Sequence, residues 1–469
     1  MNRKEFVRSA AFTAASVYLS KFSFAEDFPA VRVPAGQRRF RSEAVEEAIA
    51  AVQKGVRNKE LAWLFYNCFP NTLDTTVEFE TINGRPDTYV ITGDIDAMWL
   101  RDSTAQVWPY LSLAKKDKPL QQLIAGVVNR QASNVLYDPY ANAFYKDRNK
   151  TGEWKSDHTE MKPGLHERKW EVDSLCYVIR LAHGYWKATG DTSVFDAHWK
   201  EAGKTIVKTF REQQRKKDKG PYKFERTTSW ATDGVPLGGY GYPVKPNGLI
   251  CSVFRPSDDA TIYPYLIPSN FFAVVSLQQL AEIANKVYKD AALANESNAL
   301  ATEVAAALQK HATTTHPQYG KVYAFEVNGF GSYNLMDDAN VPSLLALPYL
   351  NAVRSADPVY QNTRKLLLST ENPFFFKGKA GEGIGGPHVG IDMIWPLSII
   401  IRGLTAVNDA ERMQSINMLV ASHGGTGFMH EAFHKDDAGK FTRKWFAWAN
   451  TLFGELVWET WQQKRQLLA

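Results

Sequence analysis

Carboxylates recur along this chain in aromatic company, and that pairing is its first chemical signal. The stretch GDIDAMWLRDSTAQVWPYL, residues 93 to 111, sets Asp94, Asp96, Arg101 and Asp102 among Met98, Trp99, Leu100 and Trp108. An ordinary core avoids unpaired charge because desolvating it is costly, and an ordinary solvated loop does not carry two tryptophans. The same mixture returns further along. KWEVDSLCY places Glu171 and Asp173 behind Trp170, and VFRPSDDATIYPYLIPSN places Arg255, Asp258 and Asp259 before Tyr263 and Tyr265. NLMDDANVPSLL carries Asp337, Asp338 and Asn340, GIGGPHVGIDMIWPLSI carries His388, Asp392 and Trp395, and GGTGFMHEAFHKDD carries His430 and Glu431.

Each cluster has a plain structural explanation. An acid in the first helical turn caps free backbone N–H groups and suits the helix dipole, worth roughly 0.3–1 kcal/mol. Capping does not explain why the acids come with Trp, Tyr, Arg or His, so the joint pattern points to a site. Other chemistries leave no trace: there is no G-x-S-x-G elbow, no GxxxxGK[ST] loop and no HExxH. GIGGP follows no βαβ unit. Asp337, Asp338 and Asn340 are too few for a calcium site, which takes about six to eight oxygens. Paired carboxyls in an aromatic cleft are what glycoside hydrolysis uses, one protonated as general acid and one ionised as base or nucleophile. The acid needs a raised pKa, and adjacent Asp258 and Asp259 offer like-charge coupling for it. Glu431 is the candidate second carboxylate. No cofactor or metal is expected.

Helices must position these residues. Apolar residues recur at three and four residue steps in WEVDSLCYVIRLAHGYW and in SEAVEEAIAAVQKGV, where Ser42 is the expected N-cap. NDAERMQSINMLVASHGG runs to a Gly pair, and comparable stretches lie near 102–115, 119–136, 194–215, 268–287, 290–311, 339–352, 357–370, 392–406 and 446–464. Short strands are expected at 87–93, 237–244 and 320–331. About a dozen helices with no fixed-period repeat argue for a closed (α/α)6 toroid, an all-α barrel, over an open solenoid. In a toroid the inner helices start at a common funnel, where polar groups and aromatic walls belong together.

Aromatic residues make 13% of the chain, an excess suited to stacking on sugar faces. Arg3, Lys4, Arg8 and Lys21 against Glu5 place +3 of the net +5 in residues 1–25, leaving +2 for the rest, no footprint for nucleic acid. That segment, basic and then weakly apolar with SFA at 23–25, reads as an export signal, so a periplasmic location is expected. No later apolar run spans a membrane. Cys68, Cys176 and Cys251 are too scattered for a disulfide framework or a zinc site. Residues 26–469 are expected to form one catalytic domain, a monomer.

Taken together, DIDAMWLRDS, DPYANAFY, WEVDSLC, FRPSDDA, MDDANVPSLL, GIGGPHVG, IWPLSI, GFMHEAF and FAWANTLFGEL, spread from about residue 40 to 465, resemble glycoside hydrolase family 125. These are bacterial exo-α-1,6-mannosidases with fungal relatives. The resemblance implies an (α/α)6 barrel, metal-independent hydrolysis with inversion, and release of single mannose units from an α-mannoside oligosaccharide. It puts the general acid on Asp258, with Asp259 as rival, and the general base on Glu431. Motif membership implies sugar-holding roles for Asp94, Asp96, Trp99, Arg101, Asp102, Glu171, Asp173, Arg255, Asp259, Asp338, Asn340, His388 and His430. Two other readings stay open: a different (α/α)6 sugar enzyme, such as a glucoamylase-like hydrolase or an epimerase using His388 with His430, or a non-catalytic helical glycan-binding protein.

Overall fold

The computed structural model describes residues 28–469; the expected export signal at 1–25 lies outside the described residues. Here the apolar stripes become twelve helices of eight residues or more: α1 (Glu43–Gly55), α2 (Lys59–Cys68), α3 (Leu100–Val107), α4 (Lys118–Tyr137), α5 (Val172–Thr189), α6 (Ala197–Gln213), α7 (Ile267–Ile283), α8 (Ala291–His311), α9 (Pro358–Leu367), α10 (Pro396–Leu404), α11 (Asp409–Ala421) and α12 (Ala447–Gln463). α2 is the one of these the periodicity did not mark.

An inner ring forms where α12 packs on α3, α3 on α5, α5 on α7, and α10 on α12. The buried segment 341–350 joins them: Tyr177 of α5 donates to the Val341 carbonyl at 2.9 Å, and the Tyr349 hydroxyl donates to Glu455 of α12 at 3.0 Å. Outside it, α4 packs on α5 and α6, α6 on α8, α8 on α7, and α11 on α10 and α2. The chain is an (α/α)6 barrel with short strands, in line with the sequence.

The two rings begin their helices differently. Ser42, Asn58, Asp117, Asp196, Asp290, Asp357 and Asn408 cap α1, α2, α4, α6, α8, α9 and α11, each side chain accepting from a backbone N–H. Inner helices α3, α5, α7, α10 and α12 have no side-chain cap; their N-cap positions hold Trp99, Glu171, Leu266, Trp395 and Phe446. Short three-stranded sheets hold three of these entrances. Met98–Trp99 pairs with Ala143–Phe144, which pairs with Leu165–Glu167, just ahead of α3. Tyr265–Leu266 pairs with Glu326–Val327 ahead of α7, and Met393–Ile394 pairs with Ala432–His434 ahead of α10.

Two expected elements are different. Over 343–350 the chain makes tight turns in place of a helix, because Asp337 takes the Leu344 and Leu345 N–H groups at 2.8 and 2.9 Å. Residues 237–244 form no strand: Gly238, Gly239 and Gly241 all sit at positive φ, a turn conformation incompatible with extended chain. Cys68, Cys176 and Cys251 are free and buried.

Candidate active site

The inner N-termini converge on a cavity of about 210 Å³. Three of the uncapped N-cap positions, Trp99, Trp395 and Phe446, line it, and from the first turn of α3 come Arg101 and Asp102. Aromatic and ionised side chains therefore share residues 93–111 because one helix start presents both to the same hollow. The indole nitrogens of Trp99 and Trp395 are donors with no protein acceptor.

On one wall Arg101, 2% exposed, is the hub. Its Nη1 donates to Glu171 at 2.5 Å and to Asp173 at 3.3 Å, while Nη2 donates to Asp258 at 3.0 Å. Asp258 sits in a tight turn: its N–H donates to the Arg255 carbonyl, the Arg255 N–H donates to the Asp259 carbonyl, and Asp258 itself has φ 66°, a left-handed conformation Asp tolerates better than most residues. Asn142 reaches Asp258 Oδ1 at 3.4 Å, and Lys169 donates to its backbone carbonyl at 2.8 Å. Burial pushes the Asp258 carboxyl up, but the facing charges of Arg101 and Lys169 and a hydrogen bond from Glu171 outweigh it, holding Asp258 below the usual carboxylate range. Glu171, wholly buried, is pushed well above that range by burial against the pull of Arg101. Burial likewise pushes Asp102 and Asp173 up to about 6 against the same arginine.

Glu431 and Arg443 form a second charged group in the lining. Glu431 Oε1 lies 3.4 Å from Arg443 Nη1, and Arg443 Nε lies 3.5 Å from Asp94. His388 also lines the cavity, and its Nδ1 is 3.3 Å from Asp259 Oδ1. Burial works against its imidazolium, but the Asp259 hydrogen bond and the charges of Asp259, Asp258 and Glu431 raise it to about 9. One histidine thus feels both Asp258 and Glu431.

Of the residues singled out in the sequence, Trp99, Arg101, Asp102, Asp258, Asn340, His388 and Glu431 line the cavity. Glu171, Asp173, Asp259 and Asp338 form a buried layer beneath it; Asp338 accepts from Ser257 at 2.7 Å and from the Asn340 N–H at 3.3 Å. Asp258 shares the Arg101 guanidinium with Glu171 at the start of the neighbouring helix α5, while adjacent Asp259 turns to His388. Arg255 is buried and pairs with Glu326 at 2.7 Å. Asp96 is largely exposed and pairs with Lys150 at 2.8 Å. His430 stacks on Phe441, and each ring nitrogen lies 3.0 Å from a backbone carbonyl oxygen, of Arg443 and His423, so it forms no histidine pair with His388 in the cavity.

Sequence reasoning missed Trp154, Lys169, Arg226 and Arg443, which also line the cavity. Arg226 is forked onto Asp157 at 2.7 and 2.8 Å, pairs with Glu167 and Asp233, and carries the Trp154 ring 3.7 Å away. The run HERKW at 166–170 was the available signal for Lys169; the others sit in loops with no periodic pattern.

Ring and cavity define the class, an (α/α)6 glycoside hydrolase. Solved structures share this fold. A Streptococcus pneumoniae metal-independent α-mannosidase, in a non-productive complex with α-1,6-mannobiose, is 43% identical with a TM-score of 0.87, covering 91% of this chain and 100% of that one. A bacterial glucoamylase complexed with acarbose shares the fold at 14% identity and a TM-score of 0.56, covering 85% of this chain and 55% of that one. The meiotically up-regulated gene 157 protein of Schizosaccharomyces pombe is 42% identical over 449 residues, 92% of this chain and 88% of that relative. Residues 58–458 match the family described as metal-independent alpha-mannosidase (GH125). The chain belongs to that family.

Proposed function

We propose that this α-mannosidase is exo-acting and inverting and cleaves α-1,6-linked mannose from the non-reducing end of an oligosaccharide. One observation carries the reading: Asp258 and Glu431, far apart in sequence, line one cavity and both act on the same His388 imidazole. The relative solved with α-1,6-mannobiose supports the linkage.

In this mechanism Asp258 delivers a proton to the glycosidic oxygen as its bond to the anomeric carbon breaks. Glu431 takes a proton from a water molecule, whose oxygen bonds to that carbon from the opposite face. The product is mannose of inverted configuration. Such a base stands about 6.5–9.5 Å from the acid to leave room for the water. Arg443, 3.4 Å from Glu431 Oε1, orients the carboxylate that accepts this proton. Arg101 and Asp102 on one side and Asn340 on the other grip the sugar hydroxyls, with Trp99 and Trp395 as walls. The reading extends to export, on the basic and then weakly apolar character of residues 1–25, and to a periplasmic monomer.

Proton NMR of the anomeric signals during digestion of α-1,6-mannobiose tests this directly. Early β-mannose, lost in Glu431→Gln, is the expected result. Early α-mannose means retention and ends the water-activating role of Glu431. Absence of turnover on the α-1,6 disaccharide, with turnover on an α-1,2 or α-1,3 isomer, overturns the linkage assignment alone.

A further inference from the structure

Beneath the cavity more acid than base is buried. Among the described residues, Arg101 is the one side-chain cation within ion-pair distance of Glu171, Asp173 and Asp258, and it also lies 3.6 Å from Asp102. The other cations nearby are engaged. Lys169 pairs with Asp233 at 2.6 Å and Glu167 at 3.3 Å, and His388 with Asp259. One guanidinium does not neutralise several carboxylates removed from water, so the cluster must hold a proton.

The hydrogen bonds say where. Glu171 Oε2 accepts from Arg101 and, at 2.8 Å, from the Ser174 hydroxyl, while Oε1 is buried and receives no donor. An ionised carboxylate wastes that oxygen; a protonated one uses it to donate. The acceptor is at hand, because Arg101 holds Glu171 on Nη1 and Asp258 on Nη2 of one guanidinium, which sets the two carboxyls side by side. Asp173 Oδ1 also lacks a donor, but Asp173 sits farther from the shared guanidinium, at 3.3 Å from Nη1 against 2.5 Å for Glu171.

We propose that Glu171 is a positioning residue that shares a single proton with Asp258 and hands it over when the glycosidic oxygen arrives. This rests on Asp258 being the general acid, and it resolves a difficulty in that role: facing Arg101, a lone Asp258 would stand ionised at neutral pH with nothing to give. The balance is simple. The Glu171 Oε1–H bond breaks as an O–H bond forms on Asp258, and Arg101, already on Oε2, holds the carboxylate left on Glu171. Asp258 then passes the proton to the leaving oxygen. Both carboxyls end ionised, Glu431 ends protonated by the attacking water, and exchange with solvent resets the site.

The test compares α-1,6-mannobiose, whose leaving group needs a proton, with 2,4-dinitrophenyl α-mannoside, whose leaving group does not. For Glu171→Gln, kcat/KM on the disaccharide is expected to fall about 100-fold or more at pH 7, the scale of general-acid catalysis. Its alkaline limb should move to lower pH, while the aryl substrate and mannose inhibition change little. Glu171→Asp, which keeps a carboxyl, should recover part of the loss and move the limb less; it also serves if the Gln variant does not fold. An unmoved alkaline limb in either folded variant, or equal losses on both substrates, overturns the proposal. Asp258→Asn separates the two levels. If it too loses equally on both substrates, the acid assignment fails; if it discriminates and Glu171→Gln does not, only proton sharing fails.

Discussion

The outer helices open with Ser, Asn or Asp side chains that close their backbone hydrogen bonds; the inner helices open with Trp, Glu, Leu or Phe and no such closure. In the outer ring the helix start is used for stability. In the inner ring the same position walls the cavity at Trp99, Trp395 and Phe446 and, at Glu171, holds the layer beneath it. Arg101 in the first turn of α3 bonds to Glu171 and Asp173 at the start of the neighbouring helix α5. Asp102 and Asp173 look like capping acids in the sequence, yet both lie within ion-pair distance of Arg101, and burial raises both against its pull. An acid at a helix start therefore means different things in the two rings.

Substitutions at the two kinds of start should separate activity from stability. Glu431→Gln, at the cavity, should lower kcat on a mannobiose by roughly 10²–10⁴-fold, with the urea midpoint unchanged. Arg101→Met removes the cation from beneath buried carboxylates and should cost roughly 3–5 kcal/mol in urea unfolding, with activity lost as well. The Asp259–His388 pair should stabilise fully below the ordinary histidine value and be lost as pH rises through about 9. NMR should show His388 titrating there, and closer to its ordinary value in Asp259→Asn. Smallest, Asp290→Ala uncaps outer helix α8 and should cost roughly 0.5–2 kcal/mol, with kcat and KM untouched. A cap variant that changed kcat, or an inner-ring variant that changed only stability, would dissolve the distinction.

Much of the fold was legible because long amphipathic helices announce themselves: α4, α5 and α8 carry stripes over several turns. The 343–350 turns were not, since Leu344 to Leu350 has the apolar content of a helix and its N–H groups are diverted by side chains, two to Asp337 earlier in the chain and one to Ser343. At the site, the motifs marked Asp258, Glu431 and His388. They did not show that Asp258 joins Glu171 on Arg101 while adjacent Asp259 meets His388, because that depends on how a left-handed turn aims two neighbouring carboxyls. Arg226 and Trp154 escaped because most of their partners lie far along the chain: Arg226 meets Asp157, Glu167 and the Trp154 ring.

The three small sheets at the helix entrances have a consequence for variation. Each fixes two or three residues at the rim by backbone hydrogen bonds, which do not depend on side-chain identity. Exposed stretches strung between them, such as 241–246, can change sequence without moving Trp99, Leu266 or Ile394, whereas Arg226 and Asp233 line the cavity and are held by ion pairs. Substrate range can then drift in the loops while the hydrolytic centre keeps its dimensions.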